Sequence, residues 1–177
     1  INNEEVKERK QAAINASNIL GVKRKPIFLE FPDNRMDTVA LLDIVQTLEK
    51  VIEEIEPQIV YTHHFGDLNI DHQITHQAVM TACRPQPGFC VQEIYSFEVL
   101  SSSEWSTDIS FVPNYFVDIS DVLETKISAI KAYNSELRVF PHARSIESIK
   151  ALAKFRGSTI GVCAAESFKV ERLIDRL

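Results

Sequence analysis

Glycine is scarce in this chain, with 5 in 177 residues. A phosphate-cradling loop needs several glycines close together, so P-loop and dinucleotide-fingerprint chemistry lack their material. There is no G-x-S-x-G elbow and no H-E-x-x-H, which removes support for two common hydrolase sites. Cysteine is scarce as well: Cys83, Cys90 and Cys163 form an odd set without a C-x-x-C pair. That argues against a disulfide framework and reads as three buried thiols in a reducing compartment, so a cytoplasmic location is expected. Basic residues are outnumbered, 19 Lys and Arg against 25 Asp and Glu, for a net charge of −6. Nucleic acid and anionic membrane surfaces both call for a basic face, and neither is expected as a partner. A small anionic ligand needs only one local Arg cluster. No apolar run reaches the length of a membrane span, and no signal peptide opens the chain. Methionine is missing from position 1: the chain opens Ile1-Asn2-Asn3-Glu4-Glu5, and reads as a fragment of a longer protein.

What is present is a core. Hydrophobic residues make up 45% of the chain, and the length fits a single α/β domain over residues 1–177. Apolar spacing predicts a helix from about Asn3 to Leu20, stopped by Gly21. Pro26 to Phe31 reads as a buried strand and Pro32-Asp33-Asn34 as a turn. Asp37 or Thr38 would cap a second helix, whose apolar positions Leu41, Leu42, Val45, Leu48, Val51, Ile52 and Ile55 run to a stop before Pro57. Ile59 to Thr62 is a second buried strand, and Asp71 opens a helix to about Cys83. Gln92 to Leu100 and Tyr115 to Ile119 are strands on either side of the polar loop Ser101 to Asp108. Ser120 would cap a long helix to about Arg138, and Ser145 another to about Arg156. Val162 to Phe168 reads as a late strand and Val170 to Leu177 as a helical tail. Helices alternating with strands over short connections imply a mainly parallel sheet with helices on both faces. Ligands in such folds sit beyond the carboxyl ends of the strands.

The segments at those ends carry the chemistry. Four of the five histidines fall between His63 and His76, after a strand and entering a helix, and imidazole with nearby carboxylate suits zinc and related metals. His72 and His76 are spaced to share a helix face. His72 is the candidate ligand. His76 reads as solvated or partly packed, His63 and His64 fit a loop role as well as a ligand role, and Asp71 fits a cap. A second cluster, Phe140-Pro141-His142-Ala143-Arg144-Ser145, places a potential proton donor beside a potential anion binder. Arg35, in Asp33-Asn34-Arg35, either binds an anion or pairs with Asp37. Trp105, in the loop Ser102-Ser103-Glu104-Trp105, either stacks on a sugar or base or folds over the rim.

Taken in order, several pieces resemble the LmbE/PIG-L-type metal-dependent de-N-acetylases over nearly the whole length. They are Asn18-Ile19-Leu20-Gly21-Val22, Phe31-Pro32-Asp33, Glu56-Pro57-Gln58-Ile59-Val60-Tyr61-Thr62, Gly66-Asp67-Leu68-Asn69-Ile70-Asp71-His72, Pro141-His142-Ala143-Arg144-Ser145 and Gly161 to Phe168. The resemblance implies a Rossmann-like fold, a zinc or other divalent ion, and hydrolysis of the acetyl group of an N-acetylated amino sugar or conjugate. It assigns His72 as one metal ligand. The other two ligands and the general base belong to an early His-Pro-Asp-Asp motif that this sequence lacks. The expectation is therefore a chain without its first βα unit, missing ~30 residues or more, weak in metal binding and inert on its own. A histidine common three residues before the metal ligand is Asn69 here, and an amide cannot deliver a proton. The donor role then moves to His142, with Asn69 and Asp71 as working neighbours of His72, and Arg35, Arg144 and Trp105 toward the substrate. Alternatives are a non-catalytic sugar-binding or scaffold relative, or a metal-dependent hydrolase of another bond. A homo-oligomer is compatible with the apolar faces.

Overall fold

The computed structural model describes residues 3–175. Among the described residues it has five α-helices and a mixed four-stranded sheet: α1 (Asn3–Ile19), α2 (Leu41–Ile55), β1 (Ile59–His63), α3 (Ile70–Ala82), β2 (Glu93–Phe97), β3 (Tyr115–Asp118), α4 (Leu123–Lys131), α5 (Ile146–Ser158) and β4 (Ala165–Leu173). The strand order is β1-β2-β4-β3. The α/β class is as the sequence indicates, but the sheet is less parallel. β1 pairs with β2 in parallel, Ile59 opposite Glu93 through His63 opposite Phe97. β4 runs antiparallel to β2, Leu173 opposite Glu93 and Phe168 opposite Phe97. Two compact units divide the chain: Ile1–Glu30 with Phe116–Glu166, and Phe31–Tyr115 with Ser167–Leu177.

In the first unit, α1 begins with Glu4 and Glu5, whose charges suit the positive end of the helix. It ends at Gly21, in the left-handed region with φ 71°. There the amide of Val22 bonds back to Ser17 and that of Gly21 to Asn18, a paired closure that glycine adopts without a Cβ penalty. α1 packs on α4. Ser145 caps α5 as expected, its Oγ accepting from the Ser148 amide at 3.0 Å. Ile119, Ala153 and Ala164 form a small core. Ser120 does not cap α4. Its hydroxyl and amide both donate to Asp118 Oδ1, at 2.5 and 2.9 Å. Its Oγ instead accepts the Ala164 amide at 3.2 Å, and α4 starts later and stops at Lys131. Pro26 to Phe31 is not a strand: Ile27 is 51% exposed and Phe28 is also exposed. An apolar run supplies side chains for a strand, but only a neighbouring chain supplies the ladder.

In the second unit, Ile44 and Val45 of α2 pack against Ala78 and Ala82 of α3, with Phe31, Met36, Leu48 and Ile52 closing around them. Val79, Cys83, Val91 and Ile94 extend this core onto the sheet. Leu41 and Leu42, expected on the apolar face of α2, are exposed. Neither Asp37 nor Thr38 caps α2: both lie in a short 3-10 turn, Met36–Thr38, and the helix begins after Ala40 with no side-chain cap. α3 is capped by Asn69 rather than Asp71, Asn69 Oδ1 accepting from the Asp71 amide at 2.8 Å. The helical tail is also corrected. Val170 to Leu173 continues β4, because β2 offers it a ladder and Glu171 reaches Ser96 across the pair at 2.8 Å. The last two residues of that predicted tail lie outside the described residues. Cys83 is buried, but Cys90 is half-buried and Cys163 exposed, so the expectation of three buried thiols fails for Cys163. No helix among the described residues is long and apolar enough to cross a membrane.

Candidate functional site

The site is built where β1 ends and α3 begins, within the second unit. His63 closes β1 and His64 follows, its amide bonded to the Phe97 carbonyl at 3.2 Å. The chain then turns tightly at Gly66, where a Cβ would meet Ile109 and His64 at 2.7–2.8 Å. Next comes Asp67, whose side chain has no solvent exposure. One carboxylate oxygen of Asp67 lies 2.8 Å from His72 Nδ1, and the other accepts the Ser103 hydroxyl. The Asp67 carbonyl also accepts from Gln73 Nε2 at 2.6 Å. A carboxylate this deep is tolerated because both oxygens are satisfied by close partners. The His72 side chain is 20% exposed, so its ring is anchored on the inside and open on the outside.

The loop after β2 supplies the hydroxyls. Ser102 Oγ accepts the Asn69 amide at 3.2 Å and sits 3.4 Å from His72 Nδ1. Ser103 Oγ accepts the Val99 amide at 2.7 Å. Glu104 in turn accepts from the amides of Ser101 and Ser102, and this holds the loop closed.

The histidines separate into different roles. His63 stacks on His72 with ring centroids 4.1 Å apart. Burial, reinforced by the neighbouring His72, pushes the His63 pKa down to about 4. His64 is buried edge-on to Phe65 and Phe111, and burial lowers its pKa. His76 Nδ1 donates to the His63 carbonyl at 2.9 Å and is buried in α3. His76 is thus packed rather than solvated, and ties α3 to the strand end.

Asp71 and Asn69 face the Asp33–Met36 turn. The Asp71 carboxylate accepts from the amides of Asn34 and Met36, at 2.6 and 3.0 Å. Asn69 Nδ2 donates to the Asn34 side-chain oxygen at 3.2 Å. Arg35 is exposed at the end of this turn, without an ion pair to Asp37. Trp105 is 51% exposed in a 3-10 turn, Ser103–Trp105. His142 and Arg144 belong to the first unit, where His142 Nδ1 accepts the Arg144 amide at 3.0 Å and Arg144 pairs with Glu136 at 2.7 Å. The structure thus brings together Asn69, Asp71, His72 and the Asn34–Met36 turn. It adds Asp67, Ser102 and Ser103, which motif reading did not select. A carboxylate directly after a glycine and five residues before the histidine was the available signal.

Residues 2–83 match the PIG-L family of GlcNAc-PI de-N-acetylases. The PIG-L match takes in β1, the Asp67–His72 pair and all of α3. Three solved structures share the fold. The 4-carboxy-2-hydroxymuconate hydratase GalB from Pseudomonas putida is 22% identical, with TM-score 0.76, over 100% of this chain and 78% of that one. A conserved protein from Thermus thermophilus is 22% identical, with TM-score 0.73, over 97% of this chain and 76% of that one. The N,N'-diacetylchitobiose deacetylase from Pyrococcus horikoshii is 20% identical, with TM-score 0.72, over 94% of this chain and 64% of that one. At these identities the likeness is one of architecture, and its members include both a deacetylase and a hydratase.

The PIG-L resemblance implies zinc. His72 suits a ligand: Asp67 holds one ring nitrogen and, among the described residues, no hydrogen bond engages the other, the usual arrangement behind a metal-bound imidazole. A complete site does not form among the described residues, which hold no group of three or more His, Cys, Asp and Glu side chains able to bind a metal ion. The described residues offer one oriented ligand, short of the three or four that zinc takes.

Proposed function

We propose that this chain forms one wall of an N-deacetylase site acting on an N-acetylated amino sugar or sugar conjugate, with His72 as one ligand of a zinc or other divalent ion. The observation that supports it most is the buried Asp67–His72 pair at the carboxyl end of β1, inside the segment that matches the PIG-L pattern. A bound divalent ion in such a site polarises an amide carbonyl and acidifies water. The chain's own part is to orient His72 and to shape the rim. Asn69 and Asp71 both hydrogen-bond to the Asn34–Met36 turn, so in this reading they also set the position of Arg35. Arg35 and Trp105, both exposed in the second unit, would meet the sugar and any anionic carrier.

The test is acetate release from a panel of N-acetylglucosamine conjugates by the full-length gene product, with zinc content measured in parallel on wild type and His72→Ala. Release that falls at least a hundredfold with loss of zinc supports the proposal. No release from any substrate, with zinc content unchanged by His72→Ala, would overturn it. The hydratase neighbour favours one second reading, chemistry on a bond other than an amide, which the same panel extended to phosphoesters and enol acids would reveal.

A further inference from the structure

We infer that Asp67, itself set by Ser103, locks neutral His72 in the tautomer with hydrogen on Nδ1, which leaves the ring's lone pair on Nε2. The inference deepens the proposed function and rests on it only for what Nε2 is used for.

The argument starts from the direction of one hydroxyl. The Val99 amide donates to Ser103 Oγ at 2.7 Å, so Ser103 is an acceptor on that side and its single hydrogen is left for another group. That hydrogen goes to Asp67 Oδ1. The second oxygen of the carboxylate faces His72 Nδ1 at 2.8 Å. A carboxylate only accepts, so the nitrogen it faces must be the donor. Ser102 Oγ, 3.4 Å from the same nitrogen, already accepts the Asn69 amide and can take a second, weaker share of the Nδ1 hydrogen. The order of donors is thus fixed from a backbone amide in the loop after β2 to the imidazole in α3. Every link before the imidazole is buried: Asp67 has 0% exposure, Ser103 5% and Ser102 3%. Water has no access with which to scramble it, and a low-dielectric setting strengthens each bond. Asp67 is therefore a positioning residue. It acts through His72 and decides which ring atom is available.

The chain of donors also predicts how to invert the tautomer. In Asp67→Asn the Ser103 hydroxyl, still occupied by Val99 on its acceptor side, selects the amide oxygen. The amide NH2 then faces His72 Nδ1, which must become an acceptor, and the hydrogen moves to Nε2. Histidine tautomers are read directly from two-bond proton–nitrogen correlations in 15N-labelled protein. At about pH 8, where an ordinary imidazole is neutral, wild type should show Nδ1–H, and Asp67→Asn should show Nε2–H with its melting transition intact. A wild-type spectrum showing Nε2–H, or an imidazolium, overturns the inference. So does a folded Asp67→Asn protein whose His72 signal is unchanged. If Asp67→Asn does not fold, the wild-type spectrum still decides. The readout does not involve acetate release, so a failed deacetylase assay beside an Nδ1–H spectrum would count against the proposed function alone.

Discussion

Replacing Asp71 by alanine should free the Asn34–Met36 turn while leaving α3 in place. The carboxylate accepts two backbone amides from that turn, Asn34 at 2.6 Å and Met36 at 3.0 Å. Asn34 holds φ 54°, a left-handed conformation that asparagine tolerates but does not seek, so the turn needs outside restraint. A hydrogen bond to a charged acceptor contributes roughly 1.5–3 kcal/mol. Asn34 is exposed, and solvent competition puts its bond at the low end, giving about 3 kcal/mol for the pair. Alanine removes both acceptors, but the helix keeps its cap on Asn69. The loss is therefore a local opening of the turn rather than global unfolding. At 1.4 kcal/mol per factor of ten, the amides of Asn34 and Met36 should exchange about a hundredfold faster. The core amides of Ala78 and Ala82 should hold. Asp71→Asn keeps one acceptor oxygen and should fall between. Native-state hydrogen exchange by NMR measures all of this at once. Exchange of both turn amides within about threefold of wild type, in a folded Asp71→Ala protein, would refute the anchoring role.

Three further outcomes follow from packing and titration. Gly157→Ala should destabilise by about 1–3 kcal/mol on thermal denaturation despite alanine's better helix propensity, because the new Cβ would lie 2.7 Å from the backbone of Ala164 and Val162. A rise in melting temperature would show that this contact yields. Native thiol labelling should proceed in the order Cys163, Cys90, Cys83: Cys163 is exposed, whereas Cys83 is buried with its pKa pushed up to about 11. Rapid labelling of Cys83 without unfolding would contradict the packing of α3 on the sheet. Finally, His63 stays neutral in the fold down to about pH 4, against an ordinary 6.5. The unfolded chain therefore gains a proton first, and stability present above pH 6.5 is lost as pH falls from 6.5 to 4, by at most about 3 kcal/mol. Urea midpoints should fall less steeply over that window in His63→Gln, and identical slopes would exclude the effect.

What sequence reading reached, and what it missed, follows from how local each signal is. α1 and its Gly21 stop, β1, α3 and the Ser145 cap of α5 each rest on residues within one or two turns of one another, and all are present. Pro26 to Phe31 and Val170 to Leu173 have strand-compatible or helix-compatible composition. Their state depends on whether a ladder partner arrives, which no short window contains. Ser120 had a suitable side chain for a cap, but its oxygen accepts the amide of Ala164, 44 residues away. The site divides along the same line. His72 was legible from a short motif. Asp67 is its closest partner, but the significance of Asp67 comes from complete burial and from a hydroxyl 36 residues away.

The histidine cluster shows why counting donors misleads. Four imidazoles in one stretch suggest a metal cage, yet their surroundings differ. His76 spends a nitrogen on a strand carbonyl, His64 sits among Phe65 and Phe111, and His63 is desolvated against its neighbour. Only His72 combines an internal carboxylate with an outward ring edge. A ligand is defined less by the presence of an imidazole than by what holds its other nitrogen. His72 and His76 both meet that definition, held by Asp67 and by the His63 carbonyl, and the outward edge of His72 is why it is the proposed ligand.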